Sequence, residues 1–83
     1  MNVLSSMARK QRFTVMIERE GDGYVSLCPE LDIASQGDSV EESKVNLKEA
    51  IELFFEVADP SEIQARLSNE LFITSLEVDL GAA

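Results

Sequence analysis

The apolar positions of this chain change period repeatedly, and each change marks an element. Phe13, Val15 and Ile17 alternate with Thr14, Met16 and Glu18. That is the period of two of a strand with one buried face and a second face partly covered. Glu20-Gly21-Asp22-Gly23 breaks the alternation. Two glycines around an aspartate supply the positive φ that a hairpin loop requires, so Tyr24 to Cys28 is expected to return antiparallel to Phe13 to Arg19. Pro29 has no amide to donate and closes this strand, and Glu30 to Ile33 leads to a third short strand over Ala34 to Gln36. The period then lengthens. Val40, Leu47, Ile51, Phe54 and Ala58 fall on one stripe at about 100° per residue, flanked by Ala50 and Phe55, while the intervening glutamates lie mostly elsewhere. The spacing predicts a helix from Ser39 to Ala58.

Both ends of that helix are written in the sequence. Ser39 followed three residues later by Glu42 is a capping box, in which each side chain accepts from an orphan amide, contributing about 1 kcal/mol. Asp59-Pro60 stops the helix, because the residue before a proline disfavours αR and proline cannot continue the ladder. The same residues start a second, short helix, with Asp59 as cap and Pro60 at its first position, ending near Ser68-Asn69 with Ile63 and Leu67 as its apolar pair. From Leu71 the period of two returns. Phe72, Thr74, Leu76, Val78 and Leu80 share one face while Ser75, Glu77 and Asp79 share the other, which predicts a fourth strand over Leu71 to Leu80.

An amphipathic helix cannot hide its stripe alone, so the strands must supply the other layer. The expected fold class is α+β, a small antiparallel sheet packed on one main helix in the order β-β-β-α-β, with a short extra helix before the last strand. Its domain spans residues 13–80. Residues 1–12 show no period and are expected to form a flexible extension. With 83 residues in all, the core is small and stability modest.

Composition narrows the function. The chain has no histidine, which removes the commonest general base, the usual partner of a serine or cysteine nucleophile and the commonest metal ligand. Sixteen acidic residues against seven basic ones give a net charge of −9. Arg9, Lys10 and Arg12 lie at the start, so from Phe13 onward the balance is four basic against sixteen acidic, or −12. A body that acidic repels phosphate backbones and attracts basic partners. Three charges in Arg9-Lys10-Gln11-Arg12 are a poor grip on nucleic acid. No apolar run approaches the roughly 18 residues of a membrane span, and the basic patch follows the short apolar piece, the wrong order for a secretory signal. A cytoplasmic protein is expected. The single cysteine, Cys28, lies inside a strand pattern and reads as a buried small hydrophobe.

Glu30, Asp32 and Asp38 cluster before the helix, as a metal-dependent nuclease would want, but solvated loop acids are frequent in so acidic a chain. Ser35 and Ser39 have no base to activate them. Gly21, Gly23 and Gly37 lack the spacing of a phosphate-binding loop and read as turn glycines. Phe54 and Phe55 read as core, with Phe55 free to serve a subunit contact. Neither catalysis nor a cofactor or metal is expected.

Four pieces of the chain, Asp22-Gly23-Tyr24, Cys28-Pro29-Glu30-Leu31, Ser35-Gln36-Gly37-Asp38 and Asn46-Leu47-Lys48-Glu49-Ala50-Ile51, occur in an order that resembles the HicB-like antitoxin family. Its pattern is a hairpin around an acidic DGY turn, a CPEL segment, then SQGDS leading into a helix of the form EEAxxNLKEAIEL. Lys44 stands where a small or apolar residue is usual, and the closing FITSLEV is similar to the last strand of compact members. The resemblance implies a partial ribonuclease-H-like fold without catalytic carboxylates, an interaction module that neutralises a small basic ribonuclease toxin (HicA). Asp22, Tyr24, Glu30 and Asp32, in and beside the matching pieces, are the expected partner-binding residues. The alternative is an orphan oligomer of the same fold, and a remote one is a metal-dependent nuclease. The family's helix-turn-helix and ribbon-helix-helix segments have no counterpart in the residues given, so DNA binding is not expected. A homodimer, or a dimer of dimers, is expected through Phe55 and the last-strand residues Phe72, Thr74, Leu76 and Val78, since small chains gain stability by pairing strand edges across a two-fold axis.

Overall fold

The computed structural model describes residues 10–81. Three strands, β1 (Met16–Glu20), β2 (Gly23–Cys28) and β3 (Ile33–Gly37), are followed by two helices, α1 (Val40–Val57) and α2 (Pro60–Leu67). The strands form an antiparallel sheet in the order β1-β2-β3, and α1 lies over β3 and β2 more than over β1. This is an α+β fold. Of the expected extension, residues 1–9 lie outside the described residues; residues 10–12 are exposed and belong to no helix or strand.

Each strand boundary has a local cause. β1 and β2 pair from Met16↔Leu27 to Glu20↔Gly23, leaving Gly21 and Asp22 as a two-residue loop. Gly21 takes φ +60° and Asp22 does not have positive φ, which makes this the II′ hairpin with glycine first. Gly23 therefore does not serve positive φ, contrary to the sequence expectation. A Cβ there would lie 2.8 Å from the Gly37 carbonyl oxygen, so its role is space. The ladder starts at Met16 rather than at Phe13, because continuing the register would set Thr14 opposite Pro29, which has no amide. The Thr14 amide donates instead to the Glu30 carboxylate, at 2.9 and 3.1 Å from its two oxygens.

The helix ends agree with the sequence. Ser39 caps α1, its hydroxyl accepting from the Glu42 amide at 3.0 Å. The reciprocal half of the box differs: the Glu42 carboxylate accepts from the amide of Asp38, one residue further back than Ser39. Asp59 precedes α2 without a side-chain capping bond, so Pro60 and the preceding turn define that start. What holds α2 to the body is Arg66, which donates to the Leu31 carbonyl and whose guanidinium lies 5.0 Å over the Phe54 ring.

The core is Cys28, Leu31 and Leu47, with Phe13, Val15, Ile33, Ile51 and Phe55 packed around it. The α1 stripe begins at Ser43, which is buried, and not at Val40, which is 40% exposed. The reason is a close approach between α1 and the sheet. A Cβ on Gly37 would sit 2.6 Å from the Ser43 amide nitrogen, and the Ser26 hydroxyl donates to the Ser43 carbonyl at 2.7 Å. Only small residues fit where the helix backbone meets the strand, so Ser26 and Ser43 occupy places that a larger apolar side chain could not enter. The opposite sheet face carries the rows Met16-Leu27-Ala34 and Glu18-Val25-Gln36.

The expected fourth strand is not a strand in the single chain. Residues 68–81 are all exposed, and among the described residues no backbone-to-backbone hydrogen bond involves residues 70–80. Phe72 is 80%, Leu76 81% and Leu80 83% exposed. Alternation describes which side chains share a face, whereas a strand also needs a ladder partner, and this segment finds none among the described residues.

Candidate partner-binding site

The four residues expected to bind a partner fall at two ends of the sheet. Asp22 and Tyr24 lie at the β1–β2 turn, where the Tyr24 ring lies 5.5 Å from the Arg19 guanidinium and its hydroxyl accepts from Arg19 at 3.4 Å. Glu30 and Asp32 lie in the connection between β2 and β3, at the far end of β2. Asp38 follows β3. The five residues of that strand separate it from Asp32, about 20 Å of extended chain. The sequence cluster Glu30, Asp32 and Asp38 therefore does not converge in space. Among the described residues, no group of three or more Cys, Asp or Glu is placed to share a metal ion.

Glu30 is engaged by its own fold. Besides the Thr14 amide, its carboxylate accepts from the Thr14 hydroxyl at 2.7 Å and from the Cys28 thiol at 3.5 Å. Burial works against ionisation, yet these donors and the residue's own amide outweigh it and hold the Glu30 carboxyl below its ordinary value. Burial likewise pushes the Cys28 thiol up, as expected of a packed and unreactive cysteine. Asp32 takes φ 56°, a conformation aspartate tolerates better than most residues, and its amide donates to the Cys28 carbonyl at 2.8 Å. The CPEL segment is thus a tight turn that throws Leu31 into the core.

Because the folded carboxyl titrates below its unfolded value of about 4.3, its contribution is present above that pH and is lost as the pH falls through the lower folded value. Glu30→Gln keeps an acceptor but not the charge. The variant is expected to lose about 1 kcal/mol at pH 7, with the gap to the parent closing below pH 4. Urea titrations at pH 7 and pH 3 check this.

The other end of the sheet holds a shallow cleft of about 440 Å³. Its walls come from Glu20 and Tyr24 of the hairpin, Gln36 and Asp38 at the end of β3, and Glu42 and Asn46 of α1. Asn46 is fixed by donating to the Gln36 carbonyl at 2.7 Å, and Glu42 by the Asp38 amide. Three carboxylates line this cleft and, among the described residues, no lysine or arginine does. Sequence reasoning selected Tyr24 but missed Glu20, Asp38 and Glu42 as a group. The signal was the antiparallel return, which brings a hairpin mouth beside the end of the third strand and the first turn of the helix.

Three proteins of Synechocystis sp. resemble this chain, all UPF0150 proteins. One is 50% identical over 46 residues, covering 53% of this chain and 58% of that relative. A second is 45% identical over 49 residues, 57% of this chain and 71% of the relative, and a third is 45% identical over 49 residues, 57% and 68%. The chain belongs to the UPF0150 family. It spans 58% of the length of the first of these UPF0150 relatives. No protein-family model and no solved structure matches the chain. Among the described residues, no helix is long and apolar enough to cross a membrane.

Proposed function

We propose that this UPF0150 protein is an antitoxin-type interaction module of the HicB-like kind, which binds and neutralises a small basic ribonuclease toxin and is not itself an enzyme. The observation that carries this reading is the cleft between hairpin, β3 and α1, lined by Glu20, Asp38 and Glu42 with no basic side chain among the described residues. A concave, single-sign site on a chain of net charge −9 suits insertion of lysine or arginine from a basic surface. The DGY, CPEL and SQGD pieces support the same reading, since the first and last of them build the walls of that cleft. Asp22, at the hairpin tip, extends the negative surface to its rim.

The test is calorimetric titration of the full chain with a purified HicA-like toxin. Binding is expected to weaken at least tenfold between 50 and 300 mM salt. Glu20→Lys with Asp38→Lys is expected to weaken it at least tenfold at low salt, since neither side chain is needed for folding in the way Glu30 is. An absence of heat and of toxin inhibition would favour an orphan module of the same fold. Equal binding by the doubly charge-reversed variant would place the contact elsewhere.

A further inference from the structure

The residues from Leu71 to Leu80 form an extended arm with a regular apolar row and, among the described residues, nothing beneath it. We infer that this arm is a strand exchanged between two copies of the chain, each arm pairing with the outer edge of its partner's β1. The inference is independent of toxin binding.

Three observations select that edge and that occupant. The sheet has two open edges, and they differ. At β3 the Gln36 carbonyl already accepts from Asn46 of α1, whereas β1 has no ladder partner on its outer side among the described residues. Next, α1 covers β3 and β2 and leaves the β1 side of the same layer thin, so Val15 and Ile17 are only half-buried. A strand beside β1 with Phe72, Leu76 and Leu80 turned inward would complete that layer. Last, the arm leaves the body beside the segment that leads into β1: Asn69 and Leu71 line a small cleft with Arg12 and Phe13. From Phe72 onward it runs outward, with its apolar side chains 53–83% exposed, as a protomer whose strand has been handed to another copy would.

The dimensions agree. The eight residues from Phe13 to Glu20 can take up eight of the ten arm residues, and the alternation fixes register, because a one-residue slip would turn Leu76 and Val78 outward and Glu77 inward. Two such arms, exchanged reciprocally, cover an area on the order of the ~1,600 Å² of a standard stable interface. Fully exposed apolar rows of this length are otherwise an aggregation hazard, which pairing with a second copy removes.

The experiment uses the full chain without any added partner. Light scattering at micromolar concentration is expected to give twice the 9.2 kDa chain mass. Leu76→Asp with Val78→Asp is expected to return it to the single-chain mass with the helical circular dichroism unchanged, while Ser75→Asp, on the opposite row, leaves the dimer intact. Mixing ¹⁵N-labelled with ¹³C-labelled protein identifies the arrangement, since isotope-filtered contacts between arm and β1 are expected only between differently labelled chains. A single-chain mass overturns the inference. So do arm-to-β1 contacts confined to one chain, or a dimer that survives the double aspartate variant.

Discussion

Leu47→Ala is expected to remove about 2–5 kcal/mol, a large share of the 5–10 kcal/mol or so that a domain of this size possesses. Leu47 is 1% exposed and forms the centre of the core with Cys28 and Leu31, while Ile51 and Phe55 close over it. There is little left to collapse into the space it would vacate. Of its neighbours, Leu31 is held by a tight turn whose amides converge on the Cys28 carbonyl, Cys28 is fixed in the β2 ladder, and Ile51 and Phe55 sit on the helix itself. The loss corresponds to a fall of about 10 °C or more in Tm for a chain this short. Thermal and urea unfolding followed by circular dichroism measure it. Val57→Ala, at a position 69% exposed on the same helix, is expected to change stability by less than about 0.5 kcal/mol. Similar losses at Leu47 and Val57 would mean that the core is not where α1 meets the sheet. Ile51, at the centre of the stripe by periodicity, is only half-buried and should cost less than Leu47.

Gly37→Ala is expected to cost about 3 kcal/mol, although it adds a single methyl group. That methyl would lie 2.6 Å from the Ser43 nitrogen and 2.9 Å from the Glu42 carbonyl carbon, both backbone atoms that no rotamer change can move. The first turn of α1 would have to back away from β3. Doing so stretches the bond from the Ser26 hydroxyl to the Ser43 carbonyl, now 2.7 Å, and leaves buried polar groups unpaired. The comparison is Gly21→Ala at the hairpin. Among the described residues nothing lies within 4 Å of a Cβ there, and its φ of +60° brings a penalty of about 1 kcal/mol. Chemical denaturation of both variants separates the two causes. A Gly37 variant no less stable than the Gly21 variant would show that helix and strand can separate freely.

These two positions also mark where the sequence was informative and where it was not. The ends of α1 were legible because they depend on Ser39, Glu42, Asp59 and Pro60, whose effects are local. The hairpin was legible for the same reason. Leu31 as a core residue was not, since a lone leucine between Glu30 and Asp32 has no periodic neighbours to declare its direction. Nor was the burial of Ser26 in β2: hydrophobicity ranks Val25 and Leu27 above it, yet Ser26 is fully buried on the same face as Cys28. Closeness between layers decided this, and closeness is a property of Gly37 and Ser43, distant in sequence from β2. The arm shows the converse. Its alternation predicts a strand, but pairing is a relation between segments, and the partner edge cannot be read from the segment that needs it. For the candidate site, Tyr24 followed from the hairpin, while the joining of Glu20, Asp38 and Glu42 required knowing that β3 returns to the hairpin mouth.

The burial of Cys28 has a practical side. It is the chain's one sulfhydryl, it has no solvent contact, and it sits among Leu31, Leu47 and the Glu30 carboxylate. An alkylating reagent can meet it only in molecules whose β2–β3 connection has opened. Under native conditions the labelling rate is then the reagent's intrinsic rate multiplied by the open fraction, which converts directly into an opening free energy. The protein therefore carries its own clock for the rare excursions of its core, with no dye or introduced residue to disturb the packing it reports on.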